Sequence, residues 1–243
     1  MNYPQTNPYS PPHAANIAAR AEEWERAAFI RRTYSHLALA VGMFVLIELA
    51  VFTFLPQTTL QASLGLFGRW TWLLALGGFM FVSFLAERWA RSDTSTSLQY
   101  LGLGLYVAAE SVLFIPLLYL AQLRGTPDFN PIAMAATISG IIFGGLTLFV
   151  FITKTDFSGL GKYLMWAGLA AMGLIVCGIV FGFHLGMFFI YGMIALMSGY
   201  ILYETSNVML HYRTDQHVAA ALGLFASVAT LFWYVLLLVM NRD

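Results

Sequence analysis

The chain has 243 residues, 59% hydrophobic and 10% charged, with 12 basic and 12 acidic side chains and a mean hydropathy of +0.73. A soluble domain carries about 25% charged residues, so this composition excludes a water-facing surface and marks an integral membrane protein whose main partner is the lipid bilayer. Zero net charge and the lack of a basic face also argue against nucleic acid as a partner.

Residues 1–16 are rich in Pro, Asn, Tyr and Ser and lack an apolar run, so they read as a disordered tail and not a signal peptide. Residues 17–33 mix Ala with Arg20, Glu22, Glu23, Glu25, Arg26, Arg31 and Arg32. That mixture predicts an amphipathic helix on the membrane surface, with Trp24 and Phe29 toward the headgroups. Residues 34–240 make the transmembrane domain. A crossing helix needs roughly 20 apolar residues. Stretches of that kind lie at 34–55, 70–86, 98–121, 131–153, 160–181, 185–205 and 218–240. Only Gly182-Phe183-His184-Leu185 separates the fifth from the sixth, and a tight turn there fits better than one overlong helix. The fold class is all-α: a polytopic membrane protein with a bundle of seven transmembrane helices.

Placing the N-terminus in the cytoplasm puts Arg20, Arg26, Arg31, Arg32, Arg88, Arg91, Lys154, Lys162 and Arg213 inside, against Arg69, Arg124 and Arg242 outside. The C-terminus then emerges outside. Short loops and the absence of sorting signals fit a bacterial inner membrane. Helices in lipid associate through close contact, and Gly140 with Gly144, then Ala195 with Gly199, supply small residues at the right spacing. Pro116 is expected to kink the third span. The single cysteine, Cys177, excludes a disulfide framework and is expected to be a buried structural thiol.

Three glutamates fall inside the spans: Glu48, Glu110 and Glu204. A carboxyl group in hydrocarbon is costly by a few kcal/mol and needs a polar partner or water, so these positions point to an ion pathway or to proton sensing. Tyr106 precedes Glu110 by four residues and Tyr200 precedes Glu204 by four, so each tyrosine shares a helical face with its glutamate. Glu48, between Phe44 and Phe52, requires a partner from another helix. The same glutamates also fit a structural role, neutral and hydrogen-bonded between helices. His211, Asp215 and His217 follow Glu204 and make a candidate cation-binding or proton-sensing mouth. Their spacing does not match a zinc site. Arg88 or Arg91 can pair with Glu204 to close an inner gate. No nucleophile elbow, zincin motif or phosphate loop occurs and no aspartate lies within a span, so neither an enzyme nor a cofactor is expected.

Phe29-Ile30-Arg31-Arg32-Thr33-Tyr34, Gly199-Tyr200-Ile201-Leu202-Tyr203-Glu204-Thr205 and Ala219-Ala220-Ala221-Leu222-Gly223-Leu224-Phe225 with Leu231-Phe232 resemble the bacterial Bax inhibitor-1 family over about residues 29–240. The resemblance implies six helices around a central seventh and a pH-sensitive calcium leak, hence possible calcium binding. It also implies a sensor made of two hydrogen-bonded aspartates. The first falls on Glu204. The second falls on Ser227, where the family has aspartate. Glu204 and Ser227 can hydrogen-bond but cannot titrate as a coupled carboxyl pair. Some relatives are described as modulators of a membrane-bound protease, so a non-conducting regulator working through residues 4–32, with such a protease or another membrane protein as partner, is the alternative. A small-molecule permease is a third reading, without an inverted repeat to support it.

Overall fold

Hydrocarbon offers no partner to a backbone N–H or C=O, so long apolar runs satisfy themselves as helices. The computed structural model describes residues 17–92 and 95–241, the side chain of Arg69 excepted. The tail expected at 1–16 and the C-terminal Arg242 lie outside these described residues. Among the described residues eight α-helices follow in order: α1 (Glu23–Phe54), α2 (Gln57–Ser63), α3 (Arg69–Ala90), α4 (Thr96–Arg124), α5 (Pro131–Thr153), α6 (Gly161–Phe181), α7 (Gly186–Leu210) and α8 (His217–Met240). All except α2 are long and apolar enough to cross a membrane. Among the described residues there is no β-sheet, only the isolated bridges Ile17–Arg213 and Thr126–Phe129.

Local chemistry sets the helix ends. Ser95 and Asn130 cap α4 and α5 by accepting the N–H of Leu98 (3.3 Å) and Ala133 (3.1 Å), and Pro131 opens α5. Gly182 ends α6 in the left-handed conformation (φ 75°), its N–H returning to Gly178 O at 2.9 Å, which makes the tight turn into α7. The first span begins earlier than its hydropathy suggests. The expected surface segment and the first span form one 32-residue helix, without a break between residues 33 and 34. Ile17 and Ala18 instead dock on the turn before α8, where Ala18 N–H donates to Tyr212 O at 2.9 Å.

The start of α1, the ends of α3, α5 and α7, and the starts of α4, α6 and α8 share one end of the bundle, called the basic end below. The other is the far end. In α4 and α8, 56% of the most apolar stretch is buried inside the protein, against at most 17% in any other span. The centre is therefore shared by two helices. α8 packs on α1, α3, α4, α5 and α7, while α6 sits at the edge on α7 and α3. α1 and α5 both pack on α4 and α8 but scarcely touch each other. α4 runs unbroken through Pro116.

Glycines bring the helices close, but not all of those the spacing suggested. A Cβ on Gly102 of α4 would lie 2.5 Å from Ala86 O and 2.8 Å from Ala90 N of α3, so only glycine fits. Gly199 of α7 rests on Leu164 of α6, and Gly161 and Gly168 of α6 rest on Tyr203 and Tyr200 of α7. Gly140 and Gly144, by contrast, have nothing within 4 Å of a Cβ and mark no helix crossing. Cys177 is exposed on α6, so it is not a buried thiol; its helix lies at the bundle's edge with a side free for lipid.

Candidate functional site

At the basic end, α7 stops at Leu210 and the chain turns sharply. His211 and Tyr212 both donate their N–H to Asn207 O, at 2.8 and 2.9 Å. This folds Tyr212 back over the end of α7, where its hydroxyl donates to Glu204 Oε2 at 3.1 Å. Burial first, and then the neighbouring Glu204 carboxyl, push the Tyr212 hydroxyl well above its ordinary value. Gly223 of α8 makes room for the pair: a Cβ there would stand 3.1 Å from Glu204 Cδ and Oε2.

Several expected partners of Glu204 lie elsewhere. Ser227 does not meet it; the Ser227 hydroxyl donates to Gly223 O on its own helix at 3.0 Å. One helical turn separates the two α8 positions, and the turn nearer Glu204 carries glycine. Tyr200 donates instead to Leu164 O of α6 at 3.0 Å. Neither Arg88 nor Arg91 forms an ion pair with Glu204 among the described residues, although Arg91 acts on its carboxyl through space, as does Glu87. Both arginines are exposed. The proposed mouth also separates. His211 Nε2 meets both Asp156 oxygens at 3.1 Å, Asp215 pairs with Arg213, and His217 packs its ring 4.9 Å from that of His36. Among the described residues, no group of three or more His, Cys, Asp or Glu is placed to hold a metal ion. No spacing in the sequence marks Asp156 as a partner of His211. Asp156 accepts the Ser158 N–H at 2.8 Å, and that bond, helped by His211, holds its carboxyl down at about 2.

Glu110 is deeply buried on α4 and its Oε2 has no partner. The Tyr106 hydroxyl lies beside it, and Glu87 of α3 acts on Tyr106 through space. Glu87, which the hydropathy profile hides at the end of a span, lies near enough to act on both Tyr106 and Glu204.

Glu48 stands apart from these groups. It is 6% exposed, both carboxyl oxygens lack a hydrogen-bond partner among the described residues, and it lines a cavity of about 1190 Å³ between α1 and α5, floored by α4 and α8. Among the described residues no other helix supplies the expected partner, and α1 and α5 scarcely touch. Phe44, Phe225 and Phe232 line the same cavity. Phe225 of α8 also meets the ring of Tyr106 on its other side, with centroids 6.1 Å apart, and Phe44 packs edge-on to Phe114 at 5.0 Å. An aromatic cluster centred on Phe225, called the plug below, therefore lies between the Glu48 cavity, which Phe225 lines, and Tyr106.

The family model described as inhibitor of apoptosis-promoting Bax1 matches residues 26–243. Protein LIFEGUARD 3 of Arabidopsis thaliana is 26% identical over 216 residues, covering 87% of this chain and 83% of that protein. Protein LIFEGUARD 4 of the same plant is 30% identical over 103 residues, 40% of this chain and 42% of that protein. An uncharacterised protein of Caulobacter vibrioides is 32% identical over 119 residues, 43% of this chain and 46% of that protein.

Proposed function

The chain belongs to the Bax inhibitor-1 family, and on that premise we propose that it is a cation leak protein, with calcium as the candidate ion, whose structure here is the closed form. The observation that carries this reading is the placement of acidic groups on both sides of one aromatic plug. Glu48 faces an open cavity on one side. On the other, Glu204 and the exposed Glu87 reach the basic end, while Glu110 lies deeper, one turn beyond Tyr106. A ring of apolar side chains closes a pore by refusing water, and small shifts of those rings reopen it. Carboxylates lower the cost of a cation on either side. They are spread singly along the bundle, which suits passage more than storage.

The basic end faces the cytoplasm by the positive-inside rule, and a bacterial inner membrane remains the favoured location. Neither catalysis nor a bound cofactor enters this mechanism. Ser227 and Gly223 on α8 bring no second carboxyl to Glu204, so regulation by pH does not run through a shared proton. The Tyr212–Glu204 bond is the latch that holds the closed form. Calcium efflux from proteoliposomes tests the proposal, with wild type beside Glu204→Gln and Glu48→Gln. Wild type should leak and each variant should leak less. A wild-type protein that passes no cation returns the argument to the alternative, a regulator of a membrane protease or another membrane protein. The docking of Ile17 and Ala18 on the Tyr212 turn favours that alternative to this extent: it gives the N-terminal segment a fixed place on the bundle.

A further inference from the structure

The Glu48 cavity is not shaped for an inorganic ion alone. Its walls are largely apolar, built from side chains such as Leu37, Val41, Phe44 and Val45 of α1 and Phe143 of α5. It opens sideways: Val41, Val45 and Leu49 line it and are 37%, 46% and 58% exposed on the flank between α1 and α5, which faces lipid. At the basic end the rings of Tyr34 and Phe151, 5.8 Å apart, close it off. Three buried polar groups that line this apolar groove have no partner among the described residues: the Tyr34 hydroxyl at its basic end and two groups nearer the far end. One is the Glu48 carboxyl of α1. The other is the hydroxyl of Ser139 on α5, 3% exposed. At about 1.5 Å of rise per residue, Glu48 lies about 9 Å in from the end of α1 and Ser139 about 12 Å in from the start of α5. These two groups therefore stand at similar depth on opposite walls.

A buried carboxyl needs a counter-charge or hydrogen-bond donors. An inorganic ion satisfies the carboxyl and leaves the apolar walls bare. An alkyl chain covers the walls and leaves the carboxyl unpartnered. We propose that the groove is a binding site for a long-chain aliphatic amine drawn from the bilayer, its ammonium group between Glu48 and Ser139 and its chain against the apolar walls. The ammonium has three donors to share between the two acceptors. From Glu48 to Tyr34 the groove follows about 21 Å of α1, room for a long chain. Its volume exceeds the roughly 300–1,000 Å³ of common small-molecule pockets, as a lipid-like ligand requires. The inference rests on the groove itself and not on conduction.

The test uses the full chain in nanodiscs of zwitterionic lipid and a photoreactive hexadecylamine carrying a diazirine near its nitrogen. After irradiation, labelled peptides are mapped by mass spectrometry. Labels should fall on groove residues of α1 and α5. Excess hexadecylamine should suppress them, and hexadecanol or palmitic acid at the same membrane fraction should not. Glu48→Gln should lower labelling by about tenfold and abolish the preference for amine over alcohol. Gly140→Leu covers the case in which that variant does not fold. Gly140 lines the groove, nothing lies within 4 Å of a Cβ there, and the larger side chain fills the space, so labelling should be lost. Equal competition by the alcohol or the acid overturns the proposal and leaves only a lipid-filled crevice. Labels scattered over the lipid-facing surface, or unchanged labelling in both variants, overturn it too. A chain that binds the amine and leaks no cation keeps this site and loses only the conduction reading; selective flux without amine preference does the reverse.

Discussion

Replacing Tyr212 by Phe removes one hydroxyl, keeps the ring, and cuts the latch at a single point. The bond at stake runs from Tyr212 Oη to Glu204 Oε2 at 3.1 Å. Nothing on α8 replaces it, since Gly223 has no side chain and the Ser227 hydroxyl is committed to Gly223 O. Removing one partner of a buried hydrogen bond costs about 1–3 kcal/mol, and the partial exposure of Glu204 places this one toward the lower end. A cost of about 1.4 kcal/mol borne by the closed form alone shifts the closed-to-open ratio about tenfold. Calcium efflux from proteoliposomes should therefore rise about tenfold while the open form stays in the minority. Tyr200→Phe is the matched control. It deletes a bond of similar length, 3.0 Å to Leu164 O, between α7 and the edge helix α6 and away from the plug. Its leak should equal that of wild type. If Tyr212→Phe leaks no faster, or if Tyr200→Phe rises with it, the latch argument is wrong.

Phe225→Ala should open the plug and give a high leak that no longer responds to the state of Tyr212; a double variant with Tyr212→Phe that leaks more than Phe225→Ala alone contradicts this. Gly102→Ala drives a Cβ into the Ala86 and Ala90 backbone, which cannot move aside, so yield and unfolding temperature in detergent should fall far more than for Gly140→Ala, whose site is open. Comparable losses in the two variants would show that the α3–α4 contact is not tight. For Asp156, the folded carboxyl is held below its ordinary value of 3.8, at about 2, so it contributes stability above pH 3.8 that is lost as pH falls toward 2. The gap in unfolding temperature between wild type and Asp156→Asn should be level at neutral pH, small because the group is exposed, and closed near pH 2; a gap that widens on acidification would refute the assignment.

The sequence exposes most of the fold because hydropathy reports span length directly: α5 runs from Pro131 to Thr153, the bounds its composition suggests, and the Gly182 turn separates α6 from α7 as expected. Helix starts were harder. Arg26, Arg31 and Arg32 give the beginning of α1 the composition of a separate surface helix, yet nothing in that stretch breaks a helix, and α1 continues through it. The three buried glutamates stood out by their cost in hydrocarbon, but their partners did not. A rule of four-residue spacing finds Tyr106 beside Glu110 because both stay on one helix. It misleads at Glu204, because Tyr200 points to α6 while Tyr212 reaches back only after the chain has left the helix. Gly223 and Ser227 differ by one helical turn, a distinction that depends on how α7 and α8 are rotated against each other. The lack of packing between α1 and α5, which leaves the groove, has no signature in either helix taken alone.

The pairing of Ile17 with Arg213, and of Ala18 with Tyr212, ties the arm ahead of α1 to the very turn that carries the latch. A tug on that arm is a tug on Tyr212. Any protein that grips residues before Ile17 would hold a pull-cord on ion flow, so controlling a neighbour and passing an ion need not be rival occupations for this chain.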